Sequence, residues 1–303
     1  MQRQLNIIPL VVLMLLGVIF AYPQNVEEDE VVKIESSLVV LNATITDRNG
    51  QPVFDLKASQ FKVFEDGVEQ DIEVFETAKT PFSAVILLDT SGSMEERISL
   101  ARSAAINFLD GLRIDDTAAI FKFDSKVSLV QDFSNSRDAI PQFYDLKAQG
   151  WTVLNDAVVR AANELQKRPE RRRAIVILSD GADNKSGDSA SDALKAASDA
   201  GATIYAVDMS NSDDKSREKL INQGMLKNFA EKTGGLFVAT PGGVKMREAF
   251  KNIVDELGVQ YTIAYEPKNS KKDGKWRKLE LRVASPNLNI RTRKGYNARK
   301  EKR

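Results

Sequence analysis

Ala84-Val85-Ile86-Leu87-Leu88-Asp89-Thr90-Ser91-Gly92-Ser93 is the stretch that decides the fold. Five consecutive apolar residues without polar alternation are what a strand covered by helices on both faces requires. The run stops at a carboxylate followed by small hydroxyl residues and a glycine, which is turn chemistry. Downstream, Ile98, Ala101, Ala105, Phe108, Leu109 and Leu112 recur at helical spacing. Further apolar runs follow at Ala118 to Phe123, Ala174 to Leu178 and Thr203 to Val207, with helical patterns around Leu154 to Leu165 and Asp192 to Ala200. Strands alternating with helices predict an α/β fold, an open and mostly parallel sheet wrapped by helices. The turn Phe123-Asp124-Ser125-Lys126 leading into Val127 to Val130 predicts one antiparallel edge hairpin. A last amphipathic helix carries Met246, Phe250, Ile253, Val254 and Leu257.

Outward from this core the pattern is β on both sides. Val39, Leu41, Ala43 and Ile45 alternate with more polar neighbours and stop at Asn49-Gly50. Gln60 to Glu65 meets Asp66-Gly67, and Ile72 and Val74 on one face of the following run predict a hairpin. After the last helix, Tyr261, Ile263 and Tyr265 alternate, as do Leu279, Leu281 and Val283, with a short strand near Ile290. The simplest organisation is one small β-sandwich-like domain, residues 37–80 and 258–297, into which an α/β domain of residues 81–257 is inserted. Residues 298–303 read as a basic tail.

Composition restricts the chemistry. Of 303 residues, Lys plus Arg number 43 and Asp plus Glu 43, so no global field draws in nucleic acid or anionic lipid. Histidine and cysteine are both absent. That removes the Ser-His-Asp triad, thiol nucleophiles, disulfides, zinc knuckles and imidazole ligands. Any metal must sit on oxygen, and oxygen sites suit Mg, Mn or Ca. The chain opens Met1-Gln2-Arg3-Gln4, continues with an apolar run from Ile7 to Ala21 interrupted only by Pro9 and Gly17, and turns acidic after Gln24. Residues 1–21 read as a signal peptide and 22–36 as an acidic spacer; the alternative is a retained anchor in the inner membrane. The expected location is outside the cytoplasm, in a bacterial periplasm or beyond.

Asp89 follows directly on the first buried strand, and Asp180 follows the run Ala174 to Leu178 as Ser179-Asp180-Gly181. In a parallel sheet those strand ends share one edge, where open α/β folds bind ligands. Thr152, just before a helix, adds a hydroxyl from a loop on that edge. Asp89, Ser91, Ser93, Thr152 and Asp180 thus form an all-oxygen set low in charge, suited to a hard cation with coordination left over. Taken singly, each serine or threonine also reads as a helix N-cap and Asp180-Gly181 as a turn.

The ordered combination, DxSxS after a buried strand, a threonine upstream of Leu154-Asn155-Asp156-Ala157, then SDG after another buried strand, resembles the von Willebrand factor type A domain with its metal-ion-dependent adhesion site. The resemblance covers roughly Pro81 to Leu257. The flanks Asp47-Arg48-Asn49-Gly50-Gln51-Pro52-Val53, Phe61-Lys62-Val63-Phe64-Glu65-Asp66-Gly67 and Arg293-Lys294-Gly295-Tyr296 are similar to an exported type A family first described from acidobacterial genomes. It implies a Rossmann-like, doubly wound, mostly parallel six-stranded sheet with one antiparallel edge strand. It implies a Mg2+ ion held by Ser91, Ser93 and Thr152, with Asp89 and Asp180 near it directly or through water. A Glu or Asp carboxylate from a partner protein would complete the coordination. It further implies that a shift of the 246–257 helix could couple the β segments to metal affinity, which requires two populated states.

Several features carry less. Asp124 and Asp208 at strand ends read as bystanders without a motif. Arg171-Arg172-Arg173 reads as a loop before its strand, and the bases Lys271, Lys272, Lys275, Arg277, Lys278, Arg291, Arg293 and Lys294 as solvated strand faces. Trp151 either joins the contact surface or anchors its loop. The leading function is a binding module taking a protein partner, with neither nucleic acid nor a small-molecule substrate expected. A hydrolase lacks a second metal cluster, a Walker motif and a histidine base. A structural envelope component is the remaining alternative.

Overall fold

The computed structural model describes residues 38–77, 80–135, 146–211, 213–239 and 243–300. The signal-peptide and acidic-spacer readings lie outside them, as do residues 301–303 of the tail. The central sheet contains β5 (Phe82–Asp89), β6 (Thr117–Phe123), β7 (Val127–Ser134), β8 (Arg172–Ser179), β9 (Ala202–Asp208) and β10 (Phe237–Val238). Its order is β10-β9-β8-β5-β6-β7, all parallel except β7, which pairs antiparallel with β6 at the edge. The fold is the doubly wound α/β sheet expected, with the antiparallel edge strand where the Asp124-Ser125 turn predicts it.

The double layer explains why β5 is apolar throughout. Phe82, Ala84, Ile86 and Leu88 face helices α1 (Ile98–Asp110) and α5 (Gly243–Val259), while Val85 and Leu87 face α2 (Leu154–Gln166), α3 (Ala190–Asp199) and α4 (Arg217–Thr233). The sequence pattern missed α4 and β10. Only the second half of α4 is buried, through Leu226, Phe229, Ala230 and Thr233, whereas Leu220 and Ile221 are exposed, so its helical period is visible over barely two turns.

Two four-stranded antiparallel sheets make the sandwich. One has the order β13-β1-β11-β4, from β13 (Asn289–Arg291), β1 (Val39–Thr46), β11 (Tyr261–Tyr265) and β4 (Val74–Glu76). The other has the order β14-β12-β2-β3, from β14 (Gly295–Asn297), β12 (Trp276–Val283), β2 (Phe61–Glu65) and β3 (Val68–Gln70). Val39, Leu41, Ala43 and Ile45 meet Phe61, Val63, Leu279 and Leu281 across the layer. The predicted hairpin is corrected here. The partner of β2 around Asp66-Gly67 is β3, and Val74 has crossed to the other sheet, where it pairs with Ala264 of β11. Gln60 belongs to a short 3-10 turn and not to β2.

The described residues form one compact unit, and its internal junction is polar. Arg172, read from sequence as loop, begins β8 and is fully buried. Its guanidinium donates to the carbonyls of Thr77 (2.6 Å) and Thr80 (3.0 Å), on the chain entering the α/β core, and of Leu257 (3.2 Å) and Gln260 (2.7 Å), on the chain leaving it. Burial pulls its pKa down to about 10, so it stays charged near neutrality. The reading of the C-terminal bases as solvated faces is likewise corrected for Arg277 and Arg293, both buried. Beside Arg172, Glu256 near the end of α5 accepts from Thr44 Oγ1 (3.0 Å) on β1 and Tyr205 Oη (2.5 Å) on β9, and pairs with Arg291 on β13.

Candidate metal centre

The site lies at the C-terminal ends of β5 and β8, opposite Arg172. Parallel register sets Leu88 beside Leu178 and Ser179 beside Asp208, so Asp89, Ser179 and Asp208 stand in a row across three strands. Asp89 is fully buried. Its Oδ1 accepts the Ser91 backbone N–H (2.9 Å), which folds the chain into the turn that follows, and its Oδ2 accepts Ser179 Oγ (2.5 Å). Ser179 had no role in the sequence reading; its oxygen also accepts the Gly181 N–H (3.0 Å), joining the two strand ends through one side chain.

Above Asp89, Ser91 and Ser93 sit on the 3-10 turn Gly92–Met94 with their hydroxyl oxygens 3.2 Å apart. The loop bearing Thr152 is pinned from three directions. Gly92 N–H donates to Gly150 O (3.2 Å), Trp151 N–H to Ser125 Oγ (3.0 Å), and Thr152 N–H to Asn184 Oδ1 (2.9 Å). Asp180 is positioned by Gly181, whose φ of +81° a side chain rarely adopts and whose Cβ would lie 2.6 Å from Asn222 O of α4. Asp180 Oδ1 accepts the Ala182 N–H (3.1 Å). Ser91, Ser93, Thr152 and Asp180 line a single cavity of about 700 Å3, with Asp89 beneath them. Trp151 lines it too, 58% exposed; backbone bonds hold the loop while the ring faces solvent.

Burial pushes the Asp89 carboxyl up to about 7; the Ser179 and Ser91 hydrogen bonds oppose this, and the Asp180 charge adds to it. Among the described residues no lysine or arginine forms an ion pair with it. A buried carboxylate next to a second carboxylate, with neutral hydroxyls above and no ion-pair partner among the described residues, is a donor set that a divalent cation fits. Among the described residues no group of three or more acids is placed to hold a metal ion, so a cation here would rest on hydroxyls and two carboxylates.

Asp208 sharpens the contrast. The sequence Asp208-Met209-Ser210-Asn211-Ser212 repeats the DxSxS spelling, a signal overlooked in reading Asp208 as motif-free. Ser210 N–H donates to Asp208 Oδ1 (2.9 Å), the same turn geometry as Ser91 on Asp89. Here, however, the second oxygen accepts Gln223 Nε2 (2.6 Å) and Ser210 Oγ (3.0 Å). Its Oδ2 thus takes two side-chain donors, Gln223 and Ser210, where the Asp89 Oδ2 takes Ser179. Asp124 accepts locally from Lys126 N–H (3.2 Å) and is a turn residue.

Residues 84–182, about a third of the chain, match the family model for the von Willebrand factor type A domain. An uncharacterized protein of Synechocystis sp. is 28% identical over 114 residues, covering 36% of this chain and 27% of that protein. Inter-alpha-trypsin inhibitor heavy chain H3 of Bos taurus is 29% identical over 122 residues, 36% of this chain and 14% of that protein. The chain therefore covers well under a third of the length of either relative. Among solved structures, the pilus adhesin SpaC from Lactobacillus rhamnosus GG in its open conformation aligns with a TM-score of 0.50 at 11% identity, over 86% of this chain and 47% of that one. Family match and sheet topology together identify the α/β core: the chain carries a von Willebrand factor type A domain.

Proposed function

We propose that the chain is an exported, divalent-cation-dependent protein-binding module. The observation that carries this reading is Asp89, a buried carboxylate without an ion-pair partner among the described residues, lying under a pair of hydroxyls that line an open cavity. Ser91, Ser93 and Thr152 would hold Mg2+, or Mn2+ or Ca2+ in its place, with Asp89 and Asp180 near it directly or through water. A bound cation with neutral hydroxyl ligands supplies an electrophilic position that takes a carboxylate oxygen. The partner would therefore present a Glu or Asp, and the exposed ring of Trp151 offers an aromatic contact beside it, of the kind enriched at interface centres. The apolar segment before Gln24 supports export into the periplasm or beyond.

The test is capture of partners from an envelope extract by the wild-type chain and by Asp89→Ala, each with Mg2+ and with EDTA. Binding present only for wild type with Mg2+, and competed by free acidic peptide, is the expected result. Capture that ignores both EDTA and the substitution would leave a structural role instead. Turnover of a generic phosphate ester would replace binding with hydrolysis.

A further inference from the structure

A second built feature lies away from the metal pole, where the sandwich meets the α/β core. Trp276, on β12, is 47% exposed although large and apolar. Its ring rests on Gly295, where a Cβ would come within 2.2 Å of Trp276 Cζ2 and 2.4 Å of Arg277 O. Only glycine allows the indole that seat, so the backbone is shaped to hold a tryptophan at the surface. Lys232 Nζ stands 5.8 Å from the ring centre. Trp276 lines a cavity of about 150 Å3, and an adjoining cavity of about 420 Å3 shares its Ser198, Asp199, Arg293 and Asn297 walls.

The larger cavity is cationic in a chain of zero net charge. Arg173 and Arg293 reach it from opposite sides and donate to carbonyls at the C-terminal end of α3, Arg173 to Ala200 O (3.0 Å) and Arg293 to Ser198 O (3.1 Å). Burial lowers the pKa of both against the opposing charges of Glu170 on Arg173 and Asp199 on Arg293, and among the described residues neither has a carboxylate within ion-pair distance. Lys271 and Lys272, exposed on the β11–β12 connection, also lack one among the described residues. Six basic side chains line the cavity against two acids, Asp199 and Glu266, and Asp199 is itself paired with Lys195. Capping of α3 accounts for the two arginines. It accounts for neither the lysines nor the seated, exposed indole.

We propose that these adjoining cavities bind an anionic saccharide, with Trp276 as platform for a sugar ring, Lys271 and Lys272 facing its carboxylate or sulfate groups, and Arg173 and Arg293 adding positive charge to the wall between. The electron-rich face of an indole suits the polarised C–H face of a sugar ring, and the combined space is that of a small-ligand site. A single aromatic platform on a neutral chain falls short of the basic track and repeated stacking rings that single-stranded nucleic acid uses. The site is independent of the metal reading.

The test uses the full chain carrying Trp151→Phe, which leaves Trp276 as the sole tryptophan reporter. Its fluorescence is titrated with oligogalacturonate, a heparin fragment, a neutral dextran fragment and an oligothymidylate. Saturable binding of either anionic saccharide, weakened by salt and unchanged by EDTA, is expected. In the double variant Lys271→Glu, Lys272→Glu, both changes on an exposed loop, affinity should fall by about tenfold or more. Dextran binding as tightly would remove the role of charge, and oligothymidylate binding more tightly would reassign the site to nucleic acid. No response to either anionic saccharide would overturn the proposal.

Discussion

A carboxylate with no exposed surface and no ion-pair partner among the described residues, as at Asp89, titrates far from its ordinary range, and this has a measurable consequence for stability. Asp89 is held near 7 in the folded chain against an ordinary 3.8. Between those values the folded state keeps a proton that the unfolded chain has released, so stability falls as pH rises through that window. In EDTA the loss between pH 4 and 7.5 should approach about 4 kcal/mol, three pH units at about 1.4 kcal/mol each. Asp89→Asn should flatten the slope, because the amide does not titrate. Saturating Mg2+ should flatten it too, by stabilising the ionised form. Urea midpoints across the pH series measure this; a wild-type slope in EDTA no steeper than that of Asp89→Asn would remove the premise of an uncompensated charge.

At the scale of elements, α5 carries near its end a carboxylate tied to both sandwich and sheet. Glu256 bonds Thr44 of β1, Tyr205 of β9 and Arg291 of β13. If the position of α5 is coupled to the metal pole, Glu256→Ala should change Mg2+ affinity by at least about fivefold, the lower end of typical coupling between sites. Isothermal titration of both proteins decides it, and equal affinities would mean that the helix end is structural only. The elements also differ in how readable they were. Runs such as Ala84 to Leu88 and the β1 alternation announce themselves, because burial there follows a local period of one or two residues. The gathering of the candidate site residues at one sheet edge was legible for the same reason, since they are spelled in short motifs at strand ends. Ser179 was not, since its role depends on β5 lying next to β8. Arg172 was not either: its partners are carbonyls, which every residue carries, brought from segments some 80 to 95 positions away.

Across the whole molecule, the polar junction should make the sandwich and the α/β core unfold together. Trp151 reports on the core and Trp276 on the sandwich, so variants with one tryptophan replaced by phenylalanine give separate views of each. Their urea transitions should coincide in the wild-type background. Arg172→Ala strands four carbonyls, two of them in buried hydrogen bonds, and should destabilise the chain by about 3–5 kcal/mol. It should also separate the two transitions, the sandwich going first. Coincident transitions that persist in Arg172→Ala would place the cooperativity elsewhere.

The interrupted sandwich also sets an order of events during synthesis. Val39 pairs with Tyr265, 226 positions later, and the whole α/β core emerges in between. Strands β1 and β4 therefore wait unpaired until β11 is made, and the β2–β3 hairpin keeps an open edge until β12 is, the interval in which such edges invite wrong partners. The core can fold first and, by setting its entering and leaving segments around Arg172, convert a closure across more than two hundred residues into one across a few. A substitution that slows folding of the core would then first be felt as strands of the sandwich left unclaimed.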